Sequence, residues 1–320
     1  MRYRALGDSG LMVSVVGVGC NAFGARIDAG QAKAVVDAAI EQGITLFDTA
    51  DSYADGASEE LLGAALGRRR DDVIVATKFG MGDHDAEHFG AHGSRRYIRR
   101  AVEASLRRLG TDHIDLYQLH RPDSITPIEE TLAAMSELVT EGKVRYIGSS
   151  NLSAWQVIDA DWVARTAGLQ RFISAQNEYS LYNRAAEDEL VPACERAGIG
   201  ILPYFPLAYG LLTGKYRRGE DAPAGTRLAR ADQRRRLTGA DWDRIEALQA
   251  FADARDLPLL TVAIGGLAAQ PAVGSVICGA TRPEQLPANV EAGLWEPSAA
   301  DLAELDELRH RSAFSYTTFA

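Results

Sequence analysis

Cysteine is scarce in this chain, with only Cys20, Cys194 and Cys278 among 320 residues. An odd, widely spaced set makes neither a disulfide framework nor a zinc-ligand pattern, and it fits a reducing, cytoplasmic setting. No stretch approaches the ~20 apolar residues needed to span a bilayer. The first residues, MRYRALGDSGLMVSVVG, lack the continuous apolar segment of a secretion signal. Basic residues are outnumbered, 34 Lys and Arg against 44 Asp and Glu, for a net charge of -10. That balance argues against nucleic acid or an anionic membrane as a partner. The runs Arg68, Arg69, Arg70 and Arg234, Arg235, Arg236 are flanked by acids and read as solvated surface.

What is present is enough for a large core, since 46% of residues are hydrophobic and 24% charged. Eight short apolar runs recur along the chain, beginning near Val13, Ile44, Val73, Ile114, Val144, Phe172, Gly200 and Ser275, with amphipathic stretches between them. Runs that are apolar throughout, rather than alternating, suit strands buried on both faces. The pattern predicts one α/β domain over residues 1-320, a (β/α)8 TIM barrel. AGQAKAVVDAAIEQG reads as a helix stopped at Gly43, and SRRYIRRAVEASLRRLG as one capped by Ser94 and stopped at Gly110. Ahead of the first run, YRALGDSGLMVS reads as a β-hairpin plugging the barrel bottom. The polar, Gly- and Arg-rich segments 81–93 and 216–237 follow barrel strands, and read as long loops on the C-terminal face.

In such a barrel the residues closing each strand point into the active site. Here they are Asp48 with Tyr53 close behind, then Lys78, His120, Ser150 with Asn151, Gln176 and Tyr204. The set has no hydroxyl nucleophile beside a base and no metal cage, so no metal is expected. It can supply a tuned proton donor. A tyrosine with a pKa near 10 is a poor acid at neutral pH, but an ammonium such as Lys78 favours its phenolate and lowers that value. Asp48 would keep Lys78 charged, and His120 could donate a hydrogen bond to a substrate oxygen. Lys78 is one of four lysines against thirty arginines, which suggests that a compact ammonium is wanted there.

Two other patterns are weaker. GVGCNAFG has Ala22 where a dinucleotide-binding Rossmann fingerprint needs its third glycine, and no helix follows directly. His84, His88 and His92 recur every fourth residue, but Gly82, Gly90 and Gly93 break the segment, favouring a solvated or substrate-facing loop over a metal site.

GITLFDTADSY at 43–53, VATKF around Lys78, DLYQLHRPD around His120, EGKVRYIGSSN, AQNEYSLYNR, GLLTGKY and GATRPEQLPANV together resemble the aldo-keto reductase superfamily. The likeness covers nearly the whole chain and is greatest to the bacterial and potassium-channel β-subunit-like branches. It implies an oxidoreductase moving a hydride between NADP(H) and an aldehyde, ketone or sugar, or alternatively a cofactor-binding, redox-sensing regulatory subunit with little turnover. By resemblance Tyr53 is the general acid/base, Asp48 and Lys78 tune it, and His120 positions the carbonyl. Ser150, Asn151 and Gln176 would hold the nicotinamide carboxamide, with Tyr204 stacked on the ring. Pro206, Leu207, Gly210 and Lys215 would follow the pyrophosphate, and Gly279, Thr281, Arg282, Gln285 and Asn289 the adenosine end. Some relatives grip the 2'-phosphate with lysine at position 279 and arginine at 285, and many have a small polar residue at Phe205. With those absent here, NAD stays possible, and Arg282 and Arg227 are the candidate phosphate partners. Phe23, Phe314 and the loop from Met81 are implied to shape the substrate pocket. The aromatic C-terminal tail of Phe314, Tyr316 and Phe319 is read as packing on the barrel wall or reaching over that pocket. The likeness leaves the oligomeric state open.

Overall fold

The computed structural model describes residues 1–81 and 91–309. His84, His88, Phe314, Tyr316 and Phe319 lie outside the described residues. Strands β1 (Tyr3–Ala5) and β2 (Met12–Ser14) pair antiparallel. An eight-stranded parallel sheet follows, built from β3 (Val16–Gly19), β4 (Leu46–Asp48), β5 (Ile74–Phe79), β6 (Ile114–Leu119), β7 (Val144–Ser150), β8 (Phe172–Gln176), β9 (Gly200–Ile201) and β10 (Val276–Gly279). Its order is β10-β3-β4-β5-β6-β7-β8-β9. The two outer members of that row are themselves linked by hydrogen bonds: Ile201 N to Ala272 O, Gly274 N to Ile201 O and Ile277 N to Pro203 O. The sheet is therefore curled back on itself, an α/β arrangement consistent with a (β/α)8 barrel.

Apolar strand faces meet apolar helix stripes to make the core. The helix Arg95–Leu109 presents Ile98, Val102, Leu106 and Leu109 inward at helical spacing, each worth about 1.5–3 kcal/mol on full burial. Ser94 accepts from Tyr97 N at its start, and Gly110 ends it in the left-handed conformation at φ 64°. The helix Ala29–Glu41 opens with a reciprocal Asp28–Gln31 capping box, and Gly43 follows it at φ 78°.

The turn between β1 and β2 lies against the N-terminal ends of β8 and β9. A Cβ on Gly7, at φ +58°, would stand 2.6 Å from Gly198 O and Gly200 N and 2.7 Å from Ile173 O, so only glycine fits that approach. Leu6, Leu11 and Val13 pack with Leu46, Ala76, Leu116, Leu202 and Ile277 from inside the sheet. Two expected elements differ. The apolar run from Gly200 yields only two strand residues, because Pro203 has no N–H to donate to a ladder. Segment 216–237, expected to be irregular, carries 3-10 turns at Arg227–Ala229 and Ala231–Gln233 and the start of the helix Arg234–Thr238. Buried Tyr216, Leu228 and Leu237 tie it to a second apolar cluster.

Candidate active site

Parallel pairing puts the C-terminal ends of the strands at one end of the sheet, in registers that align Asp48 with Ala76, Lys78 with Gln118 and Ser150 with Gln176. Lys78 is wholly buried there. Its ammonium donates to Asp48 Oδ2 at 2.7 Å, to Thr49 O at 2.8 Å and to the Tyr53 hydroxyl at 3.3 Å. Burial opposes a charge at this position, but Asp48 and Tyr53 outweigh it and hold Lys78 above the ordinary lysine value. Asp48 Oδ1, on the other side, accepts from Gln176 Nε2 at 2.8 Å and Gln118 Nε2 at 3.4 Å. The carboxylate is satisfied on both oxygens, as a buried charge requires.

Tyr53 departs from the sequence expectation. Lys78 does act to lower its pKa, yet burial of the phenol raises it more and Asp48 adds to the rise, so the net direction is upward. The phenol is protonated at neutral pH. His120 sits across from it, with ring centroids 5.9 Å apart and nearly perpendicular. Burial, helped by Lys78 and Arg121, pushes the imidazole down to about 2, leaving it neutral. Its Nδ1 is buried without a hydrogen-bond partner among the described residues.

The turn bearing Tyr53 is held by its surroundings. Ala54, Asp55 and Gly56 follow in succession at φ 49°, 53° and 92°, which strains the two non-glycine residues in a way concentrated at functional sites. A Cβ on Gly56 would meet Arg108 Cδ at 2.6 Å. Arg108 in turn donates to Glu59, which is fully buried and also accepts from Thr77. Nearby, Asp51 Oδ1 is buried without a partner among the described residues. Burial, then Glu59, raises its carboxyl to about 7.

Above these groups lies a cavity of about 1370 Å³, lined by Asp48, Tyr53, His120, Ser150, Asn151, Gln176 and Tyr204 at its inner end. Their polar groups form a connected belt: Ser150 Oγ donates to Gln176 O, Asn151 Nδ2 to His120 O, and the Tyr204 hydroxyl to Asn151 Oδ1 at 2.7 Å. Asn151 is itself left-handed at φ 60°. Pro206, Leu207, Gly210 and Lys215 line one side of the cavity, and Gly279, Thr281, Arg282 and Gln285 another. Gln285 Oε1 accepts from the backbone of Thr281 at 2.8 Å and of Arg282 at 3.1 Å, shaping that loop. Arg227 lies over the Tyr209 and Phe205 rings, at 5.0 and 5.6 Å. Two implied residues are placed elsewhere. Phe23 is fully buried as a member of the main core cluster and is not among the residues lining the cavity. Asn289, also buried, faces inward from the helix Gln285–Leu294 and lines no part of it.

Sequence reading misses Gln118, which aligns with Lys78 but stands two positions before His120, the residue read as closing that run. It also misses Asn21, Arg26 and Arg230, which reach the cavity from loops. A polar residue inside an otherwise apolar run was the available signal for Gln118.

A model of the aldo/keto reductase family matches residues 15–310. The chain is 38% identical over 301 residues to a probable voltage-gated potassium channel subunit beta of Oryza sativa subsp. japonica, covering 91% of each. It is 35% identical over 309 residues to probable aldo-keto reductase 1 of Glycine max, covering 94% of this chain and 87% of the relative. Versiconal hemiacetal acetate reductase of Aspergillus parasiticus is 34% identical over 300 residues, covering 85% and 86%. This chain belongs to the aldo/keto reductase family of oxidoreductases.

Proposed function

We propose that residues 1–320 form one (β/α)8 barrel that interconverts a small aldehyde, ketone or sugar carbonyl and its alcohol, using NADP(H). The observation that carries this reading is the buried ammonium of Lys78, held by Asp48 and directed at the Tyr53 hydroxyl beside His120. The cavity suits a dinucleotide: it is large, has Tyr204 at the inner end, and carries Lys215, Arg227 and Arg282 along its length. When bound, the nicotinamide supplies or accepts the hydride.

The chain's own residues handle the proton and the orientation. Tyr53, protonated at neutral pH, donates from its hydroxyl to the carbonyl oxygen in the reductive direction and recovers that proton in reverse. Lys78 stabilises the phenolate left behind, and Asp48 keeps Lys78 charged and aimed. Neutral His120 donates a hydrogen bond from Nε2 to the substrate oxygen, fixing the carbonyl relative to Tyr53. Ser150, Asn151 and Gln176 orient the carboxamide, and Tyr204 offers a ring face for stacking.

Tyr53→Phe tests the assignment by removing only the hydroxyl. Turnover on a carbonyl panel is expected to fall by about 10²–10⁴-fold, with dinucleotide binding, followed by protein fluorescence, retained. Unchanged turnover overturns it. A second reading has support in the similarity to potassium channel β subunits: a redox-sensing regulatory subunit with little turnover. It requires a channel partner retained on co-purification together with negligible activity on every carbonyl tested.

A further inference from the structure

The Tyr53 hydroxyl and the Lys78 ammonium stand 3.3 Å apart, farther than charge-assisted hydrogen bonds usually are. Behind both lies one buried carboxylate. Glu59, in the first turn of the helix Ala57–Leu66, is fully buried. Its Oε1 accepts from the Thr77 hydroxyl at 2.5 Å and its Oε2 from Arg108 Nε at 2.6 Å. Thr77 adjoins Lys78 on β5, and successive strand residues point to opposite faces. Lys78 accordingly turns to Asp48, and Thr77 to Glu59. Arg108 serves the other partner. A Cβ on Gly56 would stand 2.6 Å from Arg108 Cδ and 2.8 Å from its Nε, so the arginine lies against the turn Tyr53–Gly56.

We propose that Glu59 is a positioning residue, which through Thr77 and Arg108 sets the separation of the Lys78 ammonium and the Tyr53 hydroxyl. The inference rests on the proposed function for the chemistry of those two groups, and on geometry for the rest. Ser58, the residue before Glu59, donates to Cys20 O at 2.8 Å, and its hydroxyl is hydrogen-bonded to that of Thr49 at 2.8 Å. Thr49 follows Asp48, and its carbonyl accepts from Lys78. One helical turn therefore grips the chain neighbours of both Asp48 and Lys78. A turn further on, a Cβ on Gly63 would overlap Leu109 O. The two helices thus meet backbone to backbone, which carries Arg108 in with little freedom.

Stability alone does not account for a charge in this place. A buried ion pair gains little over a well-packed apolar pair of similar size, because removing both charges from water offsets their attraction. What it does fix is direction and distance, since each carboxylate oxygen takes only donors aimed at it. Glu59 commits one oxygen to the strand that carries Lys78 and the other to the arginine against the Tyr53 turn. A shift toward either loosens the other.

Three variants test this. Thr77→Val removes the hydroxyl and keeps the shape, Thr77→Ser restores the hydroxyl, and Arg108→Lys keeps a cation beside Glu59 but loses the planar group against Gly56. None leaves the buried Glu59 charge without a cation, so each is expected to fold, which a denaturant midpoint checks. With tyrosines carbon-13 labelled at the phenol carbon, the Tyr53 signal is identified by its loss in Tyr53→Phe. Thr77→Val and Arg108→Lys are expected to move that signal. They should also lower kcat on the carbonyl panel about tenfold, less than a misplacement of about 1 Å costs, with KM and NADPH affinity within about twofold of wild type. Thr77→Ser should bring both signal and kcat back toward wild type. A Tyr53 signal unmoved in Thr77→Val or in Arg108→Lys overturns the proposal whatever kcat does, and so does a moved signal with unchanged kcat. If wild type turns over no carbonyl, the proposed reaction fails on its own. The Tyr53 signal then decides: moved in Thr77→Val and restored in Thr77→Ser upholds the positioning role, and unmoved overturns it.

Discussion

At the scale of single residues, Asp51 has the least comfortable environment near the reacting groups. It sits two positions before Tyr53 with a buried oxygen that has no partner among the described residues, and its carboxyl is raised from the ordinary 3.8 to about 7. Between those two values the folded chain holds a proton that the unfolded chain has released. Stability therefore falls as pH rises through that window and stays at the lower level above it. Asp51→Asn cannot ionise. Its melting temperature should match wild type near pH 4 and exceed it increasingly up to about pH 7, a gain of at most about 4 kcal/mol at 1.36 kcal/mol per unit. An offset that does not change with pH would contradict this account. The left-handed backbone of Ala54 and Asp55 beside it adds a second local cost within the same few residues.

Among the elements, the β1–β2 hairpin and the strand-end residues show what could be read from the sequence. Asp48, Lys78, His120, Ser150 and Gln176 were legible because each closes an apolar run, and parallel strands bring such ends together whatever the details of packing. Gln118 was not, since His120 two positions later closes that run, and only the folded chain shows the Gln118 amide reaching Asp48. The direction of the Tyr53 shift was also hidden. Sequence places an ammonium nearby, but only three-dimensional burial decides whether charge or desolvation wins. Phe23 followed the family pattern and yet is buried, because a loop's path depends on what it packs against. The hairpin supplies a test at this scale. Gly7→Ala forces a Cβ into the backbone of Gly198, Gly200 and Ile173 at a left-handed φ. A loss of about 1–3 kcal/mol is expected, seen as a lower denaturant midpoint with the cavity's ligand affinity unchanged until unfolding. Wild-type stability in the variant would mean that the turn does not dock there.

For the molecule as a whole, charge is segregated: the acids dominate the total, and the cavity keeps arginines and a lysine. Net charge predicts that an anionic ligand is repelled, so that salt would strengthen binding. The local field predicts the reverse, because attraction at short range dominates once the ligand is within a Debye length of the wall. Titrating NADPH between about 0.02 and 0.2 M salt, where that length shrinks from roughly 20 to 7 Å, should show affinity falling. A rise would mean that the overall charge governs encounter.

The hairpin packs Leu6, Leu11 and Val13 against inward side chains of the strands, with Gly7 at the starts of β8 and β9, and the cavity lies at the strands' other ends. In the reading proposed above, water and ligands reach the reacting groups through the cavity that Tyr53 and His120 line. In the proposed reaction, the product, which carries away the proton that Tyr53 gave, and the proton that replaces it therefore use the same doorway. Recharging the acid and emptying the site become successive events, and the traffic through that doorway, rather than the bond-making beneath it, is the natural place for the cycle to be slowed.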